Sequence, residues 1–267
     1  MEIIEQVDRW RDQYRSWKAG QRSGDDLAGY PSVENGRAPF TPARRSLPMM
    51  NLALISSAGA YIDGTEPFDT SALDGDLSFR EIPTDITAAD LKFAARGYDA
   101  RFVSEDINCQ IPLARLFEYE SNRVIGQLNS VFWSCCGFIP DAAALVENTV
   151  PELISRLQHY EVQAALLVPA SRLCHQSMGL TARAIELSGI PTITLAVDRE
   201  LIEQVRPPRG GYYAGQFGTV AGQPNWPQHQ RRVLDEALRW LEPMGQPGIR
   251  KLVVELETQV EMARGER

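Results

Sequence analysis

Residues 164 to 195 constrain the fold most strongly. They hold an apolar run, Ala164-Ala165-Leu166-Leu167-Val168, a short loop, a helical stretch from about Cys174 to Ser188, and a second apolar run, Thr192-Ile193-Thr194-Leu195. Apolar runs this short, bounded by turn residues, read as fully buried strands. Strands joined by a helix run parallel, and the connection crosses one face of the sheet with a right hand. Gly189 stops the helix, and Pro191 sits at a strand entrance, where its missing N–H costs little. Met50 to Ser57 reads as a further buried strand leading into the small-residue turn Ala58-Gly59-Ala60. The expected fold class is α/β: an open, mostly parallel sheet with flanking helices, Rossmann- or flavodoxin-like, with a long irregular loop over the sheet end.

Ile3, Ile4, Val7, Trp10 and Tyr14 recur at helical spacing, so residues 2 to 18 read as an amphipathic helix packed on the body or on a second subunit. A homo-oligomer is therefore one option. Ser23 to Pro48, rich in Gly, Pro, Asp and Arg, runs extended over the surface. Tyr61 to about Pro112 is irregular and polar, and a segment of that length inside a compact domain is functional or mobile. A helix at Leu113 to Ser121 follows, then an apolar segment at Val131 to Phe138 and helical structure from Asp141 to Tyr160 that Pro151 breaks or restarts. Helices at Gln228 to Leu241 and Pro247 to Ala263 close the sequence. The expected organisation is an N-terminal helix and extended arm over 1–48, an α/β domain of catalytic type over 49–245, and a C-terminal helix over 246–267.

The formal charge of -8 leaves no basic field to attract phosphates, which argues against nucleic-acid and anionic-membrane partners. No apolar stretch approaches the ~18 residues of a bilayer span, and the charged start Met1-Glu2-Ile3-Ile4-Glu5 is unlike a secretory leader. Cys109, Cys135, Cys136 and Cys174 lack zinc-type spacing and are too few for a disulfide framework, so a reducing compartment, the cytoplasm, is expected. No Gly-x-x-x-x-Gly-Lys loop occurs, so no nucleotide cofactor is implied. Asp63, Glu66, Asp69, Asp74, Asp76 and Glu81 make the long loop acidic; without histidine partners they read as a solvated lid, not a metal site.

Ligands of open parallel sheets bind beyond the carboxyl ends of the strands, which points to the loop after Val168. There Ser171 is a plausible helix cap, leaving Cys174 in the first helical turn, where the helix dipole favours a thiolate. His175 assists only if its ring reaches the sulfur, and residues one apart on a helix diverge. The plain alternative is a small buried apolar Cys174, a capping Ser171 and a surface or capping His175. Arg183 and Glu186, three apart on one helix face, read as an intrahelical ion pair. The adjacent Cys135 and Cys136 read as strand residues on opposite faces, and Cys109 is a candidate resolving thiol for Cys174.

The run Ser171-Arg172-Leu173-Cys174-His175-Gln176-Ser177-Met178-Gly179-Leu180, with Arg183, Glu186, Gly189, Ile190, Pro191 and Thr192, resembles the selenoprotein B family of glycine, sarcosine, betaine and D-proline reductases. So do Glu66-Pro67-Phe68-Asp69, Gly75-Asp76-Leu77-Ser78-Phe79-Arg80-Glu81-Ile82-Pro83, and Asp106-Ile107-Asn108-Cys109 with Pro112. The resemblance runs from about residue 50 to 200. It implies a selenocysteine-x-x-Cys redox motif at Ser171 and Cys174, and reductive cleavage of a small-molecule substrate activated through a pyruvoyl group on a partner subunit. It also implies regeneration by a thiol reductant, and places Arg80, Glu81, Cys109 and Gln176 near the substrate.

The sequence departs from that pattern at two points. Serine is a far poorer nucleophile than a selenolate and forms no disulfide, so the paired cycle does not run on Ser171. Gly97 stands where the family has a histidine before Tyr98-Asp99. Three origins of Ser171 stay open: an engineered substitution, a divergence that leaves Cys174 as sole thiol, and a noncatalytic descendant. The expected function is thus a thiol-type oxidoreductase with a Ser171-x-x-Cys174 motif, or a noncatalytic binding or subunit protein that kept the fold. A Ser171 hydrolase ranks last, since no Gly-x-Ser-x-Gly elbow is present.

Overall fold

Leu52 and Leu54 point to one face of the first strand, β1 (Asn51–Ser56), and Ala53 and Ile55 to the other, so both faces need cover. In the computed structural model, which describes residues 2–20, 26–242 and 245–254, helices supply it on both sides. Chain order brings a short hairpin strand β2 (Ala60–Ile62), then β3 (Phe79–Pro83), β4 (Leu91–Phe93), β5 (Gln127–Leu128) and β6 (Val131–Cys135). The sheet is completed by β7 (Ala164–Val168), β8 (Thr192–Ala196), β9 (Arg209–Tyr212) and β10 (Gly248–Lys251). Its order is β10-β9-β8-β7-β1-β6-β3, with β5 paired to β1; every pair is parallel except β3 with β6. β2 and β4 form a separate antiparallel pair.

The α/β class and the mostly parallel open sheet stand as expected from the sequence. Helices α1 (Val7–Gly20), α2 (Ala100–Glu105), α3 (Leu113–Ser121), α4 (Ala142–Ala144), α5 (Val150–His159), α6 (Arg172–Leu187), α7 (Arg199–Val205) and α8 (Pro227–Leu238) surround it. One face packs Leu52, Leu54, Phe132 and Leu166 with residues of α3 and α8; the other packs Ala53, Ile55, Trp133 and Leu167 with α5 and α6. Each large side chain buried this way stabilises the fold by about 1.5–3 kcal/mol. No helix of the described residues is long and apolar enough to cross a membrane.

Two expectations change, and a third resolves between its alternatives. The helix placed at Pro247 begins instead as β10, whose register beside β9 continues the parallel sheet; residues from 255 on lie outside the described residues. The segment from Tyr61 to Pro112 is folded rather than irregular, contributing β2, β3, β4 and α2; Asp74 accepts from Tyr14 and Lys18 of α1, and Asp76 from the Asp69 N–H. Pro151 opens α5 after one π-helical turn at Leu145–Thr149, since a proline in the first turn forfeits no intrahelical donor.

The arm is bound along α6, whose residues 173 to 186 are all buried. Gln176 accepts from the Val33 N–H at 2.7 Å and donates to the Tyr30 hydroxyl at 2.7 Å. Arg183 donates to the carbonyls of Glu2, Ile3, Arg37 and Arg206, and Glu186 accepts from the Thr41 N–H and pairs with the fully buried Arg209. The expected Arg183–Glu186 ion pair is therefore absent: each charge is used between elements, because α6 has no solvated face on which an intrahelical pair would sit.

Candidate active site at the carboxyl end of the sheet

Three parallel strands, β7, β1 and β6, end side by side, and their next residues build one polar pocket floor. After β7, Ser171 in extended conformation (φ -124, ψ 177) caps α6, its Oγ accepting from the Cys174 N–H at 3.4 Å. The same hydroxyl donates to Cys174 Sγ at 3.0 Å. After β1, the Ser57 N–H donates to the Val168 carbonyl at 3.1 Å, and its Oγ accepts from the Ala170 N–H at 2.9 Å. The Ser57 carbonyl lies 3.9 Å from Cys174 Sγ, a weak S–H acceptor. After β6 comes Gly137, where a Cβ would stand 2.5 Å from Ser57 Cβ and 3.1 Å from Cys174 Sγ. Only a glycine lets the β6 end approach the thiol this closely.

A strap from the β4 side covers the floor. Gly97 (φ +79) lies between Phe138 and Ser171, and a Cβ there would meet the Phe138 ring at 2.8 Å and Ser171 Cβ at 3.1 Å. Any side chain here, the histidine that the resemblance implies included, would displace Phe138 or the helix cap. Next to it, the partly buried Tyr98 donates its hydroxyl to the Ala58 carbonyl at 2.6 Å. Burial, with the neighbouring Cys174, Cys136 and Cys109, holds the Tyr98 phenol well above its usual range. Ser171 and Cys174 are each 1% exposed, so the site is closed over.

The sequence offers His175 as a catalytic residue assisting Cys174, with a surface or capping histidine as the plain alternative. It is fully buried: Nδ1 donates to the Ser171 carbonyl at 2.7 Å and Nε2 accepts from the Val197 N–H at 3.0 Å. Both nitrogens are thus engaged by main chain, and the ring braces the 169–171 loop against the end of β8. Burial lowers its pKa to about 4, which keeps the imidazole neutral in the tautomer these bonds require.

The other thiols lie around the floor, and all four cysteines are free. Cys109 donates to the Gly218 carbonyl at 3.2 Å, Cys135 contacts the Ser56 carbonyl at 3.7 Å, and Cys136 the Ala94 carbonyl at 3.7 Å. Burial raises all three, Cys136 to about 12. Cys135 packs with Trp133 and Met178 on the α6 side, so the adjacent cysteines take opposite faces as expected. Arg80 and Glu81 are not at the floor: β3 is separated from β7 by β1 and β6. Arg80 stacks on Phe68, and Glu81 accepts from Arg156 at 2.6 and 2.7 Å, which lowers its pKa. Gln176 faces the arm. Among the described residues no group of His, Cys, Asp and Glu is arranged to hold a metal ion.

Sequence reasoning missed Ser57, Gly137 and Tyr98. Their signal was positional: the small pair Ser56-Ser57 and the glycine after Cys135-Cys136 both follow strands that end beside Val168, which only the strand order reveals.

Residues 30–170 match the profile of the glycine/sarcosine/betaine reductase selenoprotein B family. The chain belongs to this family. D-proline reductase subunit gamma of Acetoanaerobium sticklandii is 33% identical over 202 residues, 76% of this chain and 82% of that one. Glycine reductase complex component B subunit gamma of Symbiobacterium thermophilum is 26% identical over 172 residues, 61% of this chain and 38% of its own length. Sarcosine reductase complex component B subunit beta of Peptoclostridium acidaminophilum is 28% identical over 177 residues, 62% and 38%. This selenoprotein B family chain thus spans well under half of the glycine and sarcosine relatives. No solved structure matches it at a significant level. The profile match stops one residue short of Ser171.

Proposed function

We propose that this chain is a subunit of a multi-subunit reductase that cleaves a bond in a small amino-acid-type substrate, with Cys174 as the attacking sulfur. The observation that carries the reading is the Ser171 hydroxyl donating to Cys174 Sγ at 3.0 Å in the first turn of α6. A donor and a helix N-terminus on one sulfur are what an attacking thiol needs as it takes up charge. Ser171 holds the selenium position without selenium's nucleophilicity, so it acts as the hydrogen-bond donor and cap, and His175 as a positioning residue for the same loop. Relatives named as subunits of reductase complexes support a partner subunit, and a thiol reductant restores the sulfur. A reducing cytoplasm suits four cysteines kept as thiols.

The closure of Ser171 and Cys174, with serine in the selenium position, favours a second reading, a noncatalytic subunit that kept the fold. Iodoacetamide labelling of the native chain at neutral pH, read by peptide mass spectrometry, separates the two. The first reading requires Cys174 to label ahead of Cys109, Cys135 and Cys136; a Cys174 that labels only after unfolding leaves the second.

A further inference from the structure

With serine at 171, the reductive cycle lacks its second sulfur, and the end of β6 offers one. Gly137 comes so close to Cys174 that a Cβ would sit 3.1 Å from its sulfur, and Cys136 is the preceding residue. The Cys136 main chain bridges Ala58, the residue after Ser57, whose carbonyl faces Cys174 Sγ. One strap covers both sites, since Cys136 Sγ contacts the Ala94 carbonyl and Gly97, three residues on, lies against Ser171. Burial raises both the Cys136 and Cys109 thiols, with Cys174 the next cause at Cys136 and Asp106 the next at Cys109, which also spends its S–H on Gly218. Cys135 feels Cys174 as well, but its side chain is held in the packed cluster of Trp133, Leu153 and Met178 beneath α6 and contacts the Ser56 carbonyl.

We propose that Cys136 is the resolving thiol of Cys174, so that the redox couple of this chain is Cys136–Cys174 in place of a pair within the 171–174 turn. The proposal rests on Cys174 being the attacking sulfur. In the cycle, Cys174 attacks the substrate carbon, an S–C bond forms, and the leaving group departs with a proton. Cys136 then attacks the Cys174 sulfur, the S–S bond forms, the S–C bond breaks, and the carbon takes the second proton. Two thiols have lost two electrons and two protons, the substrate bond has gained them, and a dithiol reductant reopens the disulfide by exchange.

The test treats the intact chain with 4,4′-dithiodipyridine, counts released thiopyridone and maps sulfurs by mass spectrometry. The wild type should release two equivalents in sequence, and end with the Cys136 peptide joined to the Cys174 peptide. Cys136→Ser should release one and keep a stable mixed disulfide on Cys174, while Cys135→Ser should behave as the wild type and assigns the adjacent pair. A lasting mixed disulfide on wild-type Cys174, or a cross-link from Cys174 to Cys135 or Cys109, overturns the proposal while leaving Cys174 as the reactive sulfur. No label on Cys174 removes the reading beneath it, and the pair with it. The wild-type cross-link is informative even if a variant fails to fold.

Discussion

His175 makes the acid stability of this chain a test of how the active-site loop is built. The ring is fully buried between the Ser171 carbonyl and the Val197 N–H, and its second bond requires an unprotonated Nε2. Burial lowers its pKa from 6.5 to about 4. The folded state therefore refuses a proton that the unfolded state accepts over the window between these values. The contribution is complete above pH ~6.5 and is lost as pH falls towards ~4, because the unfolded chain alone gains the proton. At about 1.4 kcal/mol per pH unit across that window, the full loss is about 3 kcal/mol, of which about 2 kcal/mol falls between pH 7 and 5.

The measurement is urea unfolding of wild type and His175→Gln at pH 7 and pH 5, with near-identical slopes required of each pair. Glutamine offers an amide donor and acceptor but does not titrate. Carboxylates held below their usual range, Asp106 and Glu81 among them, weaken both proteins alike at the acid end, so the difference between the two pH dependences isolates the ring. The wild type should lose about 2 kcal/mol more than the variant over this interval. Parallel losses would show that His175 is protonated in the folded state or open to solvent, and the brace as described would be wrong.

Three further outcomes follow from contacts around the floor. Gly137→Ala puts a methyl 2.5 Å from Ser57 Cβ, so it should cost about 1–3 kcal/mol in urea unfolding and change the rate at which Cys174 is alkylated; an unchanged rate would place the β6 end away from the thiol. Ser171→Cys puts a second sulfur where Oγ now lies 3.0 Å from Cys174 Sγ, so air oxidation should join 171 to 174, seen as a loss of two hydrogens by mass; two persistent free thiols would refute the geometry of the turn. Arg209→Met leaves the Glu186 carboxyl, which burial already pushes up to about 7, beside Thr41 and Thr192 without its cation, so it should hold its proton to still higher pH and the stability deficit should grow as pH rises above 7; a deficit independent of pH there would mean the pair is not the origin of the loss.

The fold was legible wherever one residue pattern has one structural outcome. The two apolar runs around α6, Gly189 (φ +96) at its end and Ser171 at its start all sit where local chemistry put them. The C-terminal strand was not legible, because Gly248 to Lys251 carries no apolar alternation of its own and becomes a strand only by pairing with β9. Ser171 to Cys174 was legible as a helix cap and first turn, but the partners of α6 were not. Gln176, Arg183 and Glu186 reach segments 23 to 181 residues away, and no local period encodes such contacts.

The motif that looked like one functional string therefore divides by helix face and position. Its first turn, Ser171 to Cys174, faces the strand ends, while Gln176 and Arg183 fix the N-terminal arm and Glu186 with Arg209 ties the arm to β9. Residues of one string that share a family resemblance need not share a role. The opposite holds at the floor, where Ser57 and Gly137 come from separate segments and meet at one sulfur, with Tyr98 from a third holding the neighbouring Ala58 carbonyl. For Cys174 the neighbours that decide its chemistry are thus set by strand order, and the nearest sequence neighbour able to act on it directly, Ser171, contributes a hydrogen bond rather than a second sulfur.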